Sequence, residues 1–323
     1  MALKIVPASE PLPVSNIVLT MYSQPGLWKT STAQTAADPL TLDTDKGIYR
    51  AFNRRASVTI TKWSDVASMN AEDLAPYKTI VVDTVGRALD CLAQDIIEGN
   101  PKMGRPDGSL SLQGFGALKS RFAQWMSFLR SQGKDIILVA HMDEQKSGDE
   151  TMERIDAQGS SRNEIYKSSD AMCRIRLDAK DNRYLDFDPR QGGFGKNPAQ
   201  LPKIPIPDLH TDPAFFAKVI EQIKTALNNQ TKVQAEAVKQ TDEWAEAVSD
   251  ADDLPTVNLL VGLAKERKLS KGHKGLLAEK AKDLGFTFDK KTGLYIVPAE
   301  VVKIEEEEKR EEAAASGPFG VGA

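Results

Sequence analysis

Cysteine and long apolar runs are scarce in this sequence, and each scarcity excludes a class of protein. The 323 residues include two cysteines, Cys91 and Cys173, whose spacing fits neither a disulfide framework nor a zinc site. The longest strongly apolar run, residues 136–140, is far too short to span a bilayer. The first residues, MALKIVPASEP, lack the apolar core of a secretory signal. These features predict a protein of the reducing cytoplasm that has no membrane partner.

An excess of one charge is also lacking. Lys and Arg total 42 against 46 Asp and Glu, which gives a net charge of −4. Hydrophobic residues make up 41% of the chain and charged residues 27%, which is typical of a globular protein. This composition argues against wholesale disorder, a collagen-like fibre and a uniformly basic coat for nucleic acid.

Short apolar runs alternate with helical stretches over the first 200 residues. Continuous apolar runs predict buried strands at residues 17–22, 79–84 and 135–141, and shorter runs predict strands at 40–43 and 58–61. Helical spacing predicts a helix over residues 114–132, and more alternating runs at 172–177 and 184–187 predict later strands. Apolar strands separated by helices are typical of a parallel sheet covered on both faces. The predicted fold class is therefore α/β with a mostly parallel sheet.

Changes in composition divide the chain into predicted segments. These are an N-terminal arm (1–14), a nucleotide-binding core (15–230), a helical linker (231–255), a small basic C-terminal α+β domain (256–300) and an acidic flexible tail (301–323). A proline-rich stretch at 197–213 and the DADDLP sequence at 250–255 mark two of the boundaries. The lysine-rich residues 262–291 fit either a surface that attracts phosphate backbones or the solvated faces of amphipathic helices.

The segment YSQPGLWKTST, residues 22–32, follows a predicted buried strand and opens a predicted helix. In that setting backbone N–H groups cradle phosphates, and the pattern G-x-x-x-x-G-K-[ST] would cover residues 23–30. Gly26, Lys29 and Thr30 are in place, whereas Ser23 and Trp28 stand where the pattern has glycine. An ordinary strand-to-helix turn is the alternative. The predicted nucleotide-binding residues are Ser23, Gln24, Pro25, Gly26, Leu27, Trp28, Lys29, Thr30 and Ser31.

Polar side chains at other predicted strand ends complete a candidate active site. Thr30 and Asp83 are the predicted Mg²⁺ ligands, although Asp83 would also suit a cap of the next helix. Asp45 would act as general base on the attacking water, with Asp43 as the competing choice. His141 would sense the γ-phosphate, or would be an ordinary residue at the end of a strand.

The order of five segments carries a resemblance to a known family: YSQPGLWKTS, LTLDTDKG, TIVVDTVGRALD, DIILVAH and GSSRNEIYKSSDAMCRIRL. Over residues 15–227 the chain resembles the RecA-like P-loop NTPase core of phage-encoded nucleotide-binding proteins, a group that includes single-strand annealing ATPases. The resemblance implies ATP and Mg²⁺ as cofactors, a homo-oligomer in the form of a ring or a filament, and recombination partner proteins. It also implies single-stranded DNA as a ligand, and the cytoplasm of an infected host cell as the location.

The same resemblance implies roles for several cations. A loop at residues 145–165 would contact single-stranded DNA through Lys146, Arg154 and Arg162, and a loop at 98–114 through Lys102 and Arg105. Lys196 resembles a lysine that a neighbouring subunit inserts at the phosphates. The alternative for all of them is a scattering of solvated surface charges.

Three functions remain open at this point. The first is a DNA-dependent ATPase that promotes recombination or annealing. The second is a non-hydrolysing DNA-binding or assembly protein in which Trp28 blocks the phosphate site. The third is an ATPase of the same fold that acts on a protein partner.

Overall fold

The computed structural model describes Leu3 and residues 5–147, 150–158, 161–190 and 192–298. The chain divides into two compact units, Leu12–Thr231 and a second one that combines Met1–Pro11 with Lys232–Ala323. The predicted acidic tail, 301–323, lies outside the described residues. Within the part of the chain that is described, no helix has the length and apolar character needed to cross a bilayer.

The larger unit contains a central sheet with helices on both faces. Its strands are β1 (Val18–Ser23), β2 (Pro39–Asp43), β3 (Ala56–Thr59), β4 (Thr79–Asp83), β5 (Asp135–Ser147), β6 (Glu150–Ile155), β7 (Ala171–Leu177), β8 (Arg183–Asp186) and β9 (Ile204–Pro205). Its helices are α1 (Lys29–Ala33), α2 (Ser64–Ala67), α3 (Ala71–Leu74), α4 (Val85–Gly99), α5 (Leu112–Ser131), α6 (Ser161–Ser168) and the first part of α7 (Phe215–Asp250).

The strand order confirms the predicted mostly parallel α/β fold. The sheet runs β3-β2-β4-β5-β1-β7-β8-β9, and β6 pairs with β5 outside this path. All neighbours from β3 to β7 along the path are parallel, whereas β8 and β9 are antiparallel. The strand that precedes the predicted phosphate loop, β1, is therefore separated from β4 by one strand, β5.

Two apolar clusters explain why the central strands are apolar throughout. Alternate residues of β1 face opposite sides of the sheet, so that Val18 and Tyr22 join one cluster and Leu19 and Met21 join the other. Helices α4 and α5 cover the first cluster, and the beginning of α7 covers the second. Burial on both faces leaves no solvent-facing position, and this removes the alternating pattern that a half-exposed strand would show.

The region after His141 differs from the prediction of a single loop over residues 145–165. Strand β5 continues to Ser147 and pairs antiparallel with β6, with Met142 opposite Ile155, and α6 follows. Cross-strand hydrogen bonds satisfy the backbone here, so polar side chains do not prevent strand formation. The second predicted DNA loop, 98–114, comprises the end of α4, a 3₁₀ turn at Pro101–Met103 and the start of α5.

The smaller unit has its own core. It contains the second part of α7, then α8 (Leu254–Glu266), α9 (Lys271–Asp283) and a hairpin of β10 (Thr287–Asp289) and β11 (Leu294–Ile296). Trp244, Val257, Leu277 and Tyr295 lie in its apolar cluster. The helices and the hairpin fit the α+β domain that the sequence predicts at residues 256–300, whereas α7 continues without a break to Asp250, through most of the predicted linker.

Replacement of Phe122 tests the first apolar cluster. This side chain is fully buried on α5, and its ring lies 6.1 Å from that of Trp125. We expect Phe122→Ala to lower the free energy of unfolding by about 3–5 kcal/mol, because it removes apolar contacts and leaves a cavity. Urea unfolding followed by tryptophan fluorescence measures the change. Leu112→Ala on the same helix, where the side chain is 84% exposed, is the control. Equal effects of the two substitutions would contradict this packing.

Candidate nucleotide-binding site

The predicted phosphate loop connects β1 to α1. Ser23 is the last residue of β1, and α1 begins at Lys29. Gly26 and Trp28 both have positive φ values, of 79° and 67°. For Trp28 this left-handed conformation costs roughly 1–2 kcal/mol, which glycine would not incur. The loop thus has a conformation that favours glycine at the position where the pattern has glycine and this chain has tryptophan.

Lys29 holds the loop in its wrapped form. Its buried Nζ donates hydrogen bonds to the carbonyl oxygens of Ser23 and Gln24, both at 3.0 Å, and lies 3.3 Å from Ser23 Oγ. Burial lowers the pKa of Lys29 to about 8, although nearby Asp83 and Asp45 oppose the shift. The ammonium is therefore a poorly solvated cation that an anionic ligand in the cleft would stabilise.

Thr30 and Asp83 meet from two different elements. Thr30 Oγ1 donates a hydrogen bond of 2.6 Å to Asp83 Oδ2 at the end of β4. The pKa of Asp83 is raised to about 6, mainly by burial and also by the charges of Asp45 and Asp43, whereas the hydrogen bond from Thr30 and the charge of Lys29 oppose the rise. A hydroxyl and a carboxylate are hard oxygen ligands that suit Mg²⁺, which usually keeps several waters and binds substrate phosphates as well. No cluster of three or more His, Cys, Asp or Glu side chains with metal-site geometry occurs among the described residues.

The structure separates the two candidate general bases. Asp43 is buried, and its carboxylate accepts hydrogen bonds from the N–H groups of Gly47 at 3.1 Å and Ile48 at 3.2 Å. Asp45 Oδ1 lies 3.7 Å from Nε of Arg87, and its Oδ2 lies 3.8 Å from Nε2 of His141. Asp43 therefore stabilises the turn after β2. The Asp45 carboxylate has no short hydrogen bond to another described residue and faces the open cleft.

His141 lies beside the phosphate loop because of the strand register. It is paired with Ser23 across the β1–β5 ladder. Burial lowers the pKa of His141, Lys29 lowers it further, and Asp45 opposes the shift. At neutral pH the imidazole is therefore mainly uncharged, and can either donate or accept a hydrogen bond.

These residues line one cleft of about 330 Å³. Its walls include seven consecutive residues, Pro25, Gly26, Leu27, Trp28, Lys29, Thr30 and Ser31, and also Asp43, Asp45, Asp83, Thr84, His141, Gly47, Arg50 and Ala51. Of the predicted loop residues, Ser23 and Gln24 lie behind this wall and accept hydrogen bonds from Lys29. The predicted phosphate, metal, base and sensor residues thus converge at a single edge of the sheet.

Trp28 lines the cleft without filling it. The Arg183 guanidinium carbon lies 3.8 Å from the centre of the indole, and the Phe52 ring packs edge-on against it with centroids 5.4 Å apart. Sequence patterns missed Arg183 and Phe52, because both lie far along the chain from the motif. Sequence patterns also missed Arg87, the partner of Asp45. Its position four residues after Asp83, which ends β4, is nevertheless a signal that it lies near this edge of the sheet.

Lys196 is not among the residues that line this cleft. Its Nζ donates hydrogen bonds to the carbonyl oxygens of Tyr166 and, at 2.6 Å, Ser169, and its backbone pairs with Met172 of β7. Lys196 therefore stabilises the C-terminal end of α6 in its own chain. A contribution to a neighbouring subunit's phosphates stays a prediction.

The predicted DNA-binding residues lie on two different segments. Lys102 and Arg105 are exposed near the 3₁₀ turn after α4. Lys146 is opposite Thr151 in the β5–β6 hairpin. Arg154 Nη2 lies 3.4 Å from Met152 Sδ, and Arg162 Nη2 donates to the Ala157 carbonyl at 3.3 Å.

Comparison with known proteins identifies the family. The model of a family described as an AAA domain, AAA_24, matches residues 15–199, more than half of the chain. The chain belongs to this AAA domain family. Its larger unit is a RecA-like P-loop NTPase core, and the family in general binds nucleotide with Mg²⁺.

A KaiC-like protein from the hyperthermophilic archaeon Pyrococcus horikoshii OT3 is 9% identical, with a TM-score of 0.31 over 55% of this chain and 86% of that chain. No curated protein matches the sequence.

The burial of Asp83 predicts a pH dependence of stability. The folded-state pKa is about 6 and the ordinary value is 3.8. Between these values the unfolded chain loses its proton first, so the free energy of unfolding falls as pH rises. We expect Asp83→Asn to remove this fall and to exceed the wild type in stability by up to about 3 kcal/mol at pH 7.

Chemical denaturation at pH values from 4 to 7 measures this difference. Glu98→Gln, which changes an exposed carboxylate at the end of α4, serves as the control. If the stability profiles of the wild type and Asp83→Asn run parallel over this range, the conclusion that burial raises the pKa of Asp83 is wrong.

Proposed function

We propose that this protein is an Mg²⁺-dependent ATPase that oligomerises on single-stranded DNA and promotes recombination or annealing, as phage-encoded proteins of this type do in the host cytoplasm. The observation that carries the nucleotide part is the convergence of Lys29, Thr30, Asp45, Asp83 and His141 on one cleft. Membership of the AAA domain family supports the same reading. The DNA and oligomer parts depend on the resemblance described above and on the placement of the hairpin.

The cleft residues would have separate roles in phosphoryl transfer. Lys29 would exchange its two carbonyl partners for oxygens of the β- and γ-phosphates, and the loop N–H groups would bind the remaining oxygens. Thr30 and Asp83 would hold Mg²⁺, which neutralises charge on the phosphates when it is bound. The hydrogen bond between Thr30 and Asp83 already brings the two ligand oxygens together.

Asp45 is suited to accept a proton from the attacking water. Its carboxylate faces the cleft and has Arg87 and His141 nearby, neither at a short hydrogen-bond distance. A base with a free lone pair can orient water, whereas Asp43 already accepts two backbone hydrogen bonds. His141 would contact the γ-phosphate from the neighbouring strand.

The β5–β6 hairpin would couple the nucleotide site to DNA. His141 and Lys146 lie on the same strand, and the N–H of Asp156, just after β6, donates to the His141 carbonyl at 2.9 Å. A β-carbon at Gly86, in the first turn of α4, would come within 2.7 Å of the Asp156 carbonyl. A shift at the γ-phosphate would therefore move the base of the hairpin. Lys146, Arg154 and Arg162 would then contact DNA, with Lys102 and Arg105 as a second contact.

The placement of Trp28 bears on the blocked-site alternative. Because its indole is engaged by Arg183 and Phe52, a cleft of about 330 Å³ remains beside the loop. An ATPase that acts on a protein partner stays the second candidate, since the same cleft and the same hairpin could act on a protein partner in place of single-stranded DNA.

Two substitutions separate nucleotide binding from hydrolysis. Lys29→Ala removes the phosphate cation, and we expect loss of ATP binding in calorimetry. Asp45→Asn removes the base, and we expect ATP affinity to be kept while the turnover rate drops roughly 100-fold or more. Lys62→Ala, an exposed lysine outside the cleft, is the control. ATP affinity that survives Lys29→Ala unchanged would exclude this cleft as the site.

Salt dependence tests the DNA contacts. Each phosphate contact that is lost should reduce the slope of log K against log salt by about 0.7 for single strands. We expect the combined replacement of Lys146, Arg154 and Arg162 by Gln to weaken binding and flatten this slope. Measurement by fluorescence anisotropy with a labelled oligonucleotide gives both values. The same charge change at Arg54, Arg55 and Lys62 is the control. DNA affinity that does not depend on salt concentration would favour the function with a protein partner.

A further inference from the structure

Trp28 has three features that together require an explanation. Its backbone is left-handed, with φ 67° and ψ 23°. Its peptide directly precedes Lys29, and its carbonyl accepts the first helical hydrogen bond of α1, from Thr32 N at 2.8 Å. Its side chain belongs to a stack that reaches distant parts of the same unit. A bulky residue in this conformation persists only where surrounding contacts hold it.

In this stack, the Trp28 indole lies between one cationic and one aromatic side chain, Arg183 and Phe52. The Arg183 guanidinium lies over the indole face, with 3.8 Å between its central carbon and the ring centre. The Phe52 ring meets the indole edge-on, and His210 lies 5.2 Å beyond Phe52, measured between ring centroids. Arginine over an indole face is a favourable cation–π geometry. The indole thus contacts Arg183 of β8 with its face and Phe52, from the segment between β2 and β3, with its edge.

Neighbouring contacts connect the stack to the site. The N–H of Phe52 donates to Ser31 Oγ at 3.1 Å, within α1. Leu27 and Trp28 both pack against the second apolar cluster of the core. An indole fixed in this way also fixes the peptide that joins Trp28 to Lys29, and both residues line the cleft.

We propose that Trp28 is a positioning residue that keeps the phosphate loop wrapped for a nucleoside triphosphate through the Arg183–Trp28–Phe52 stack. The inference rests on the proposed nucleotide function and deepens it. Glycine reaches the left-handed conformation without cost but also leaves it freely, since it has no side chain to anchor. In this chain the side-chain stack takes over the role that glycine's conformational freedom has in the usual motif. Restoring the usual glycine should therefore weaken nucleotide binding.

The test compares Trp28→Gly with Trp28→Phe, which keeps an aromatic face for Arg183. We expect Trp28→Gly to weaken binding of a fluorescent ATP analogue roughly tenfold, and Trp28→Phe to stay within about threefold of the wild type. The melting temperature should change little in either variant, because the indole lies at the edge of the core. Equal or tighter binding by Trp28→Gly would overturn the proposal.

Arg183→Gln tests the stack from its other side. It should weaken nucleotide binding as Trp28→Gly does, while Lys180→Gln, an exposed lysine in the turn between β7 and β8, should have no effect. Acrylamide quenching without nucleotide provides a separate measurement. The fluorescence that the wild type has and Trp28→Phe lacks belongs to Trp28, and this part should become more accessible in Arg183→Gln.

The experiments distinguish a failure of the proposed nucleotide function from a failure of the positioning role of Trp28. If neither the wild type nor any variant binds nucleotide, the proposed function is wrong, and the quenching result alone decides whether the stack holds the loop. If the wild type binds nucleotide and Arg183→Gln changes neither affinity nor quenching, the stack has no positioning role and the inference is wrong.

Discussion

The parallel register of β2, β4, β5 and β1 is the constraint on which the site depends. It pairs Asp43 with Asp83 across β2 and β4, and Ser23 with His141 across β1 and β5. Parallel strands end at the same edge, so residues that are distant in sequence meet there without a dedicated scaffold. A shift of any one strand by a single residue would send its polar end to the other face of the sheet and bury it in an apolar cluster.

Opposite charges at this edge are buried together, and each makes the other tolerable. Desolvation lowers the pKa of Lys29 and raises that of Asp83, while the attraction between the two acts against both shifts. Lys29 donates hydrogen bonds to the Ser23 and Gln24 carbonyls. A triphosphate would offer stronger, charge-assisted partners in the same low-dielectric place, which is a physical reason for Lys29 to exchange its carbonyl partners for phosphate oxygens.

The central strands and the convergence of Lys29, Thr30, Asp83 and His141 could be predicted from the sequence. Strands buried on both faces give continuous apolar runs, and a polar residue at the end of each run marks the common edge. The preference for Asp45 over Asp43 is predicted from the sequence, but its physical basis is not, since that depends on the backbone N–H groups of Gly47 and Ile48. The anchoring of Trp28 by Arg183 was equally out of reach, because no local pattern connects β8 with the phosphate loop. The resemblance predicts a loop at residues 145–165, whereas the chain forms the β5–β6 hairpin and α6 there, and their polar side chains give no buried-strand pattern.

A crystal structure with Mg²⁺ and a non-hydrolysable ATP analogue tests the central claim most directly. The account predicts the γ-phosphate beside Lys29 Nζ, with the metal at Thr30 and Asp83, and with the hydrogen bonds from Lys29 to Ser23 and Gln24 broken. A nucleotide bound elsewhere on the chain, or one bound in this cleft while Lys29 keeps both carbonyl partners, would contradict it.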